Sequence, residues 1–145
     1  MEYRKLGNSD LLVSPICMGC MGFGEAEAGM HRWVIGEAPA REIIRRGLDL
    51  GVNFFDTAIA YQGGSSERFV GKALRDFARR EDVVVATKFL PKADPNMTGQ
   101  QHVEKMLNQS LKNLGMDYID LYILHAWDAN TPLYETMEGL NNAVK

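Results

Sequence analysis

The run Val83-Val84-Val85-Ala86-Thr87-Lys88 decides the fold class, because it is nearly continuous in apolar residues and ends in a charged one. Strands of parallel sheets that are covered on both faces have this composition. Similar apolar runs occur at residues 16–18, 52–55 and 119–124, and each of the four is followed by a polar or glycine-rich loop and a helical pattern. The order predicts four consecutive β-α units in a parallel sheet with right-handed crossovers.

The helical patterns are bounded by recognised start and stop signals. These signals are Pro39 and Gly51 around the first helix, Ser65 at the start of the second, Gly115 after the third (residues 100–114), and Thr131 as the cap of the fourth, with Pro132 at its first position. Residues 2–13 predict a β-hairpin, since two short strand-like segments flank turn formers at residues 7–10. The hairpin and the units at 16–145 form one predicted domain, residues 1–145.

Composition excludes several classes of protein. The chain has 145 residues, of which 46% are hydrophobic, and a formal net charge of −3, as expected for a globular protein rather than a nucleic-acid binder. No apolar run approaches the roughly 20 residues that cross a bilayer, and the segment MEYRKLGNSD has no apolar region typical of a signal peptide. Two cysteines fit a reducing compartment, so we expect a cytoplasmic location without membrane or nucleic-acid partners.

Three short motifs do not support the chemistry that they suggest at first. Residues 19–24 have the spacing G-x-x-G-x-G, which differs from the dinucleotide fingerprint, and Gly71 lacks the upstream glycine of a phosphate-binding loop. Cys17 and Cys20 have the C-x-x-C spacing, yet they lie on or just after a strand rather than at a helix N-terminus. The histidines are dispersed, so no metal site is expected and the two thiols are interpreted as buried strand residues.

Four polar residues occur where the predicted strands end. Asp56, Lys88 and His125 close three successive strands, and Tyr61 follows Asp56 by five positions. Each residue alone has an ordinary structural explanation, such as a turn, a solvated side chain or packing. Together they lie on one rim of the sheet, where α/β proteins assemble their active sites. We therefore predict that these four residues are catalytic.

The four residues form a coherent set for carbonyl chemistry. A tyrosine has an unperturbed pKa of about 10, and a nearby ammonium stabilises its phenolate form. Lys88 can supply that charge, Asp56 can hold Lys88 in place, and His125 can donate a hydrogen bond to a carbonyl oxygen. No side-chain nucleophile has a matching activator, so a hydride or nucleophile must come from elsewhere.

The sequence at these positions resembles the aldo-keto reductase family. The similarity is carried by residues 53–58 with Tyr61, by Gly64-Ser65-Ser66-Glu67 and residues 71–74, by residues 85–88, and by residues 116–125. The segments Tyr3-Arg4-x-Leu6-Gly7 and 19–24 are also similar. The subgroup resembled is the bacterial reductases related to potassium-channel β subunits.

This resemblance implies a (β/α)₈ barrel that binds NADP(H) and reduces aldehydes or ketones. It implies that Tyr61 is the general acid, supported by the Lys88–Asp56 pair, and that His125 orients the carbonyl. Cys20, Met21 and Asp56 would lie beside the nicotinamide. Trp33 and Trp127 would wall the substrate pocket; Trp33 belongs to a long glycine-rich segment, residues 22–38, here called the long loop.

A family barrel has eight units and about 250 residues, whereas four units are present here. We therefore expect the N-terminal half of a barrel. It contains the four predicted catalytic residues, here called the tetrad (Asp56, Tyr61, Lys88 and His125), but lacks most of the cofactor-binding loops. Three alternatives stay open for the chain: a truncated product, a fragment that pairs with a missing half, and a self-associating half-barrel. A non-catalytic subunit that senses the cofactor is the alternative to an enzyme.

We predict that the 145-residue chain alone binds NADPH weakly or not at all and self-associates, because its first and fourth strands are unpaired edges of apolar sheet. Light scattering after size exclusion and fluorescence titration with NADPH test this. A monodisperse monomer with micromolar affinity would contradict the prediction.

Overall fold

The computed structural model describes residues 1–127 and 129–145. It begins with the predicted hairpin, in which β1 (Arg4–Lys5) pairs antiparallel with β2 (Leu12–Val13). The turn between them contains Gly7, whose φ of 58° favours glycine. The hairpin prediction is confirmed.

The remaining strands form one parallel sheet in chain order, which confirms the predicted β-α units. The strands are β3 (Cys17–Gly19), β4 (Phe54–Asp56), β5 (Val84–Phe89) and β6 (Leu121–Leu124). The helices are α1 (Glu37–Asp49), α2 (Ser65–Phe77), α3 (Gly99–Leu114) and α4 (Leu133–Val144). Each of α1, α2 and α3 connects two neighbouring strands, as a parallel sheet requires. In the described residues, no helix combines the length and the apolar character needed to span a membrane.

The hydrophobic core lies between the sheet and the helices. Phe55 of β4 and Val85 of β5 are fully buried in one cluster with residues of α1 and α2 such as Ile44 and Val70. The prediction that the strands are covered on both faces holds for β5, where five of six residues are buried. It is wrong for β3 and β6, which are half-buried or exposed because they are the edges of this sheet.

The helix ends differ from the predictions at three places. The first helix begins at Glu37, two residues before the predicted start at Pro39, and its N-cap is Gly36. The fourth helix begins at Leu133 and its N-cap is Pro132, whose ψ of 130° is not helical. Thr131 therefore lies one position too early to cap, and its buried hydroxyl has no hydrogen-bond partner in the described structure. The cap that sequence analysis missed is Thr98, which forms a capping box with Gln101 at the start of α3. The stop at Gly115 is confirmed by its left-handed conformation, with φ of 63°.

Helices α2 and α3 meet at a glycine. A Cβ atom on Gly71 would lie 1.9 Å from the backbone oxygen of Leu114, so only glycine permits this approach. Gly71 was considered above as a phosphate-loop residue, and the structure shows that its role is helix packing.

We expect Gly71→Ala to lower the free energy of unfolding by about 3 kcal/mol or more, because the clash is with backbone that cannot rotate away. Urea denaturation of the protein measures this. Gly36→Ala is the matched control, since a Cβ there meets open space and a loss below about 1 kcal/mol is expected at such a cap position. Equal losses for the two variants would contradict the packing role.

Candidate active site

The register between β4 and β5 places Asp56 and Lys88 on one face of the sheet. Asp56 lies opposite Ala86, two residues before Lys88. Because side chains alternate along a strand, and Phe55 and Val85 face the helices, Asp56 and Lys88 project from the opposite face. Lys88, the last residue of the apolar run 83–88, is therefore directed to the side of the sheet away from the core.

The ammonium group of Lys88 has an acceptor for each of its three protons. Its Nζ lies 2.5 Å from Oδ1 of Asp56, 2.8 Å from the backbone oxygen of Thr57 and 3.2 Å from the hydroxyl oxygen of Tyr61. The side chains of Lys88 and Asp56 are 14% and 29% exposed. The charge is therefore held in a fixed, mostly desolvated position beside the phenol oxygen.

Tyr61 reaches the lysine because the chain after β4 continues along β5. The backbone amides of Thr57 and Ile59 donate to the carbonyls of Ala86 and Lys88, at 2.9 and 3.1 Å. The chain then enters a 3₁₀ turn, Tyr61–Gly64, at the start of α2. The segment 57–60 therefore carries the chain from the end of β4 to the position where the hydroxyl of Tyr61 contacts Lys88.

His125 completes the group from the next strand. Its backbone amide donates to the carbonyl of Phe89 at 2.9 Å, directly after β6. Its ring packs edge-on against the ring of Tyr61, with centroids 5.5 Å apart. Burial, and next the charge of Lys88, lower the pKa of His125 below its ordinary 6.5, against a smaller opposing effect of Asp56. The neutral form of the imidazole, which has one N–H to donate, is therefore favoured.

A buried polar layer supports the site from the helix side. Glu67 is fully buried and accepts hydrogen bonds from Thr87 and Asn113, both at 2.7 Å. The hydroxyl of Ser66 donates to the carbonyl of Cys20 at 2.7 Å and lies 2.9 Å from the hydroxyl of Thr57. The motif around Ser66 and Glu67 was visible in the sequence as a helix start, but its partners come from distant segments.

The two cysteines have different environments. Cys20 is fully buried, its thiol donates to the carbonyl of Met18, and its backbone amide and carbonyl are also bonded. Cys20 has no exposed surface and Met21 is 40% exposed, and their place beside a nicotinamide stays a prediction. Cys17 is exposed, so its interpretation as a buried thiol is wrong, and the reason is that β3 is an edge strand.

The two predicted pocket tryptophans lie on loops that follow β3 and β6. Trp33 is 59% exposed and its ring lies 5.1 Å from that of His31, within the long loop. Trp127 is 73% exposed and follows His125 by two residues. Their role as pocket walls stays a prediction.

Fold and site together define a class: an α/β protein of alternating parallel strands and helices, with an ion-paired lysine, a tyrosine and a histidine gathered where the strands end. Residues 15–145 match the model of the Aldo/keto reductase family. The chain belongs to the aldo/keto reductase family.

Relatives and solved structures agree with this assignment. The chain is 39% identical to a probable voltage-gated potassium channel subunit beta of Oryza sativa subsp. japonica, over 97% of this chain and 42% of the relative. It is 35% identical to a versiconal hemiacetal acetate reductase of Aspergillus parasiticus, over 100% and 48%. The chain thus spans about half the length of the curated relatives it matches.

The structural match covers the same portion. A thermostable aldo-keto reductase, Tm1743, solved with the inhibitor epalrestat, superposes with a TM-score of 0.83 and 30% identity, over 99% of this chain and 50% of that one. The aldo-keto reductase AKR11C1 from Bacillus halodurans, in its holo form, gives a TM-score of 0.77 and 37% identity, over 98% and 46%. The predicted fold, half of a (β/α)₈ barrel with an N-terminal hairpin, is confirmed.

We expect the imidazole of His125 to titrate below 6.5 in an NMR pH titration, since burial disfavours its charged form. The contribution of this lowered pKa to the free energy of unfolding is fully present above pH 6.5. It is lost as the pH falls through the pKa of His125 in the folded protein. Lys88→Met should raise the midpoint, because it removes a positive charge that disfavours the imidazolium form.

Lys72→Met is the control for that titration. Lys72 is an exposed lysine that pairs with Glu37 on the outer side of α2, and its loss should leave the midpoint unchanged. A wild-type midpoint at or above 6.5 would contradict the environment described for His125.

Proposed function

We propose that this chain carries the proton-transfer half of an NADP(H)-dependent reductase that converts aldehydes or ketones to alcohols. The observation that supports this most directly is the three-way coordination of the Lys88 ammonium by Asp56, Thr57 and Tyr61. Such an arrangement stabilises negative charge on the phenol oxygen, which is the state that Tyr61 reaches after it gives up its proton. The relative from Aspergillus parasiticus is itself named a reductase.

Each side chain has a step in the proposed reaction. His125 donates its N–H to the carbonyl oxygen and aligns it, and Tyr61 delivers its proton to that oxygen as negative charge develops there. Lys88 stabilises the resulting phenolate, and Asp56 keeps the ammonium in place through the ion pair. Since the tetrad residues are half-buried rather than enclosed, a substrate can reach them.

The donor set of the site fits a nicotinamide cofactor. The tetrad moves a proton but contains no group that transfers a hydride. When bound, NADP(H) supplies the hydride to the carbonyl carbon. Met21 and Asp56 are the residues proposed to contact its nicotinamide. The proposed location is the cytoplasm, where an exposed thiol such as Cys17 stays reduced.

The similarity to a potassium channel subunit beta favours one alternative, a regulatory subunit that binds the same cofactor without needing turnover. The tetrad argues for catalysis, because a protein that only senses a cofactor needs no proton donor held beside an ammonium. Oxidation of NADPH in the presence of a reactive aldehyde, by the protein that carries this sequence, separates the two: turnover supports the enzyme, and binding without turnover supports the subunit.

In the full-length protein that carries this sequence, we expect Tyr61→Phe to lower kcat for aldehyde reduction by about 10²- to 10⁴-fold, the range typical of a lost general acid, with NADPH binding retained. Stopped-flow absorbance of NADPH measures both. Tyr134→Phe is the matched control, since Tyr134 is 70% exposed on α4, and it should leave kcat unchanged. Full turnover in Tyr61→Phe would remove Tyr61 from the proposed role.

A further inference from the structure

Gln62, the residue after Tyr61, has a conformation that side chains seldom adopt. Its φ is 48°, and it is the only residue other than glycine with a positive φ in the described part of the chain. It is also 2% exposed, although a glutamine is ordinarily at the surface. A strained and buried polar residue persists only where the surrounding structure over-determines it, and such residues concentrate at functional sites.

The side-chain amide of Gln62 holds the long loop by three hydrogen bonds. Its Oε1 accepts from the backbone amide of His31 at 3.1 Å, and its Nε2 donates to the carbonyls of Glu25 and His31, both at 3.0 Å. Ser65 adds a fourth connection, since its hydroxyl donates to the carbonyl of Gln62 at 2.7 Å and accepts from the amide of Glu25 at 2.9 Å.

Two glycines of the loop are shaped around this side chain. A Cβ atom on Gly24 would lie 2.7 Å from Cβ of Gln62, and one on Gly29 would lie 2.4 Å from its Oε1. Real Cβ atoms do not approach other atoms so closely, so the loop backbone closes directly on the glutamine. Gln62 therefore meets the loop at two glycines as well as at the carbonyls that accept its hydrogen bonds. The space that the loop leaves is filled by this side chain.

We propose that Gln62 is the positioning residue that fixes the long loop, with Trp33, against the end of the sheet where Tyr61 lies. The strained backbone turns the chain so that residue 61 faces Lys88 while residue 62 faces the loop. The loop position in turn sets the fit of bulky carbonyl substrates; this second consequence rests on the proposed function, whereas the first does not.

Amide hydrogen exchange of Gln62→Gly and Gln62→Ala tests the loop contact. Both variants lose the three side-chain bonds, but only glycine adopts a φ of 48° without strain, so Gln62→Gly should keep the fold. We expect exchange across residues 25–35 to become about tenfold faster or more in both variants, since several hydrogen bonds that restrain the loop are lost, and exchange in β4 and β5 to stay unchanged. Unchanged exchange in Gln62→Gly would overturn the proposal, as would an increase confined to Gln62→Ala, which would point to strain instead.

Steady-state kinetics with a small aldehyde and a bulky aryl aldehyde test the consequence for substrate fit. We expect Gln62→Gly to raise KM for the aryl aldehyde about tenfold, while kcat for the small aldehyde changes less than twofold, because the side chain of Gln62 makes none of the tetrad contacts given above. An equal change in KM for both substrates would overturn the role in substrate fit. If the full-length protein that carries this sequence reduces neither aldehyde, the proposed function fails, and exchange alone decides whether Gln62 fixes the loop.

Discussion

The site depends on one requirement, that the half-buried ammonium of Lys88 has an acceptor for every proton. Removing an ammonium from water is costly unless its hydrogen bonds are replaced. The acceptors here come from three consecutive pieces of chain, the end of β4 at Asp56, the backbone extension at Thr57 and the turn at Tyr61. A single charge therefore fixes the relative positions of the carboxylate and the phenol, and its removal would leave both without their shared partner.

The tip of β5 is restrained on both faces. Lys88 and Thr87 are adjacent, so their side chains point to opposite sides of the sheet. On the face away from the helices, Lys88 bonds to Asp56. On the face toward the helices, Thr87 donates to the buried carboxyl group of Glu67 at 2.7 Å. Because Asn113 of α3 donates to the same carboxylate, the helices and the strand tip form one connected unit, which limits the movement of Lys88 toward or away from Tyr61.

The sequence was sufficient to predict the sheet and the proximity of Asp56 and Lys88, since both follow from local patterns. Apolar runs identify strands, and the register of parallel strands then brings their polar ends to one edge, as at Asp56 and Lys88. What could not be predicted depends on distant contacts. The edge position of β3 exposes Cys17, and the non-helical backbone of Pro132 moves Thr131 out of its expected cap position. Neither the edge position of β3 nor the backbone conformation of Pro132 can be deduced from the spacing of residues in the sequence.

Gln62 shows why such contacts escape a reading of local preferences. Gln62 lies between Tyr61 and a pair of glycines, and no residue nearby in the sequence offers its side chain a partner. Its partners lie about 30 positions earlier, in a loop whose own glycines, Gly24 and Gly29, have meaning only once that side chain is in place. The one departure from ordinary backbone geometry among the non-glycine residues of the described structure thus occurs directly beside the proposed proton donor. There the fold must present one side chain to the site and the next to the loop, and an ordinary turn would not separate those two directions.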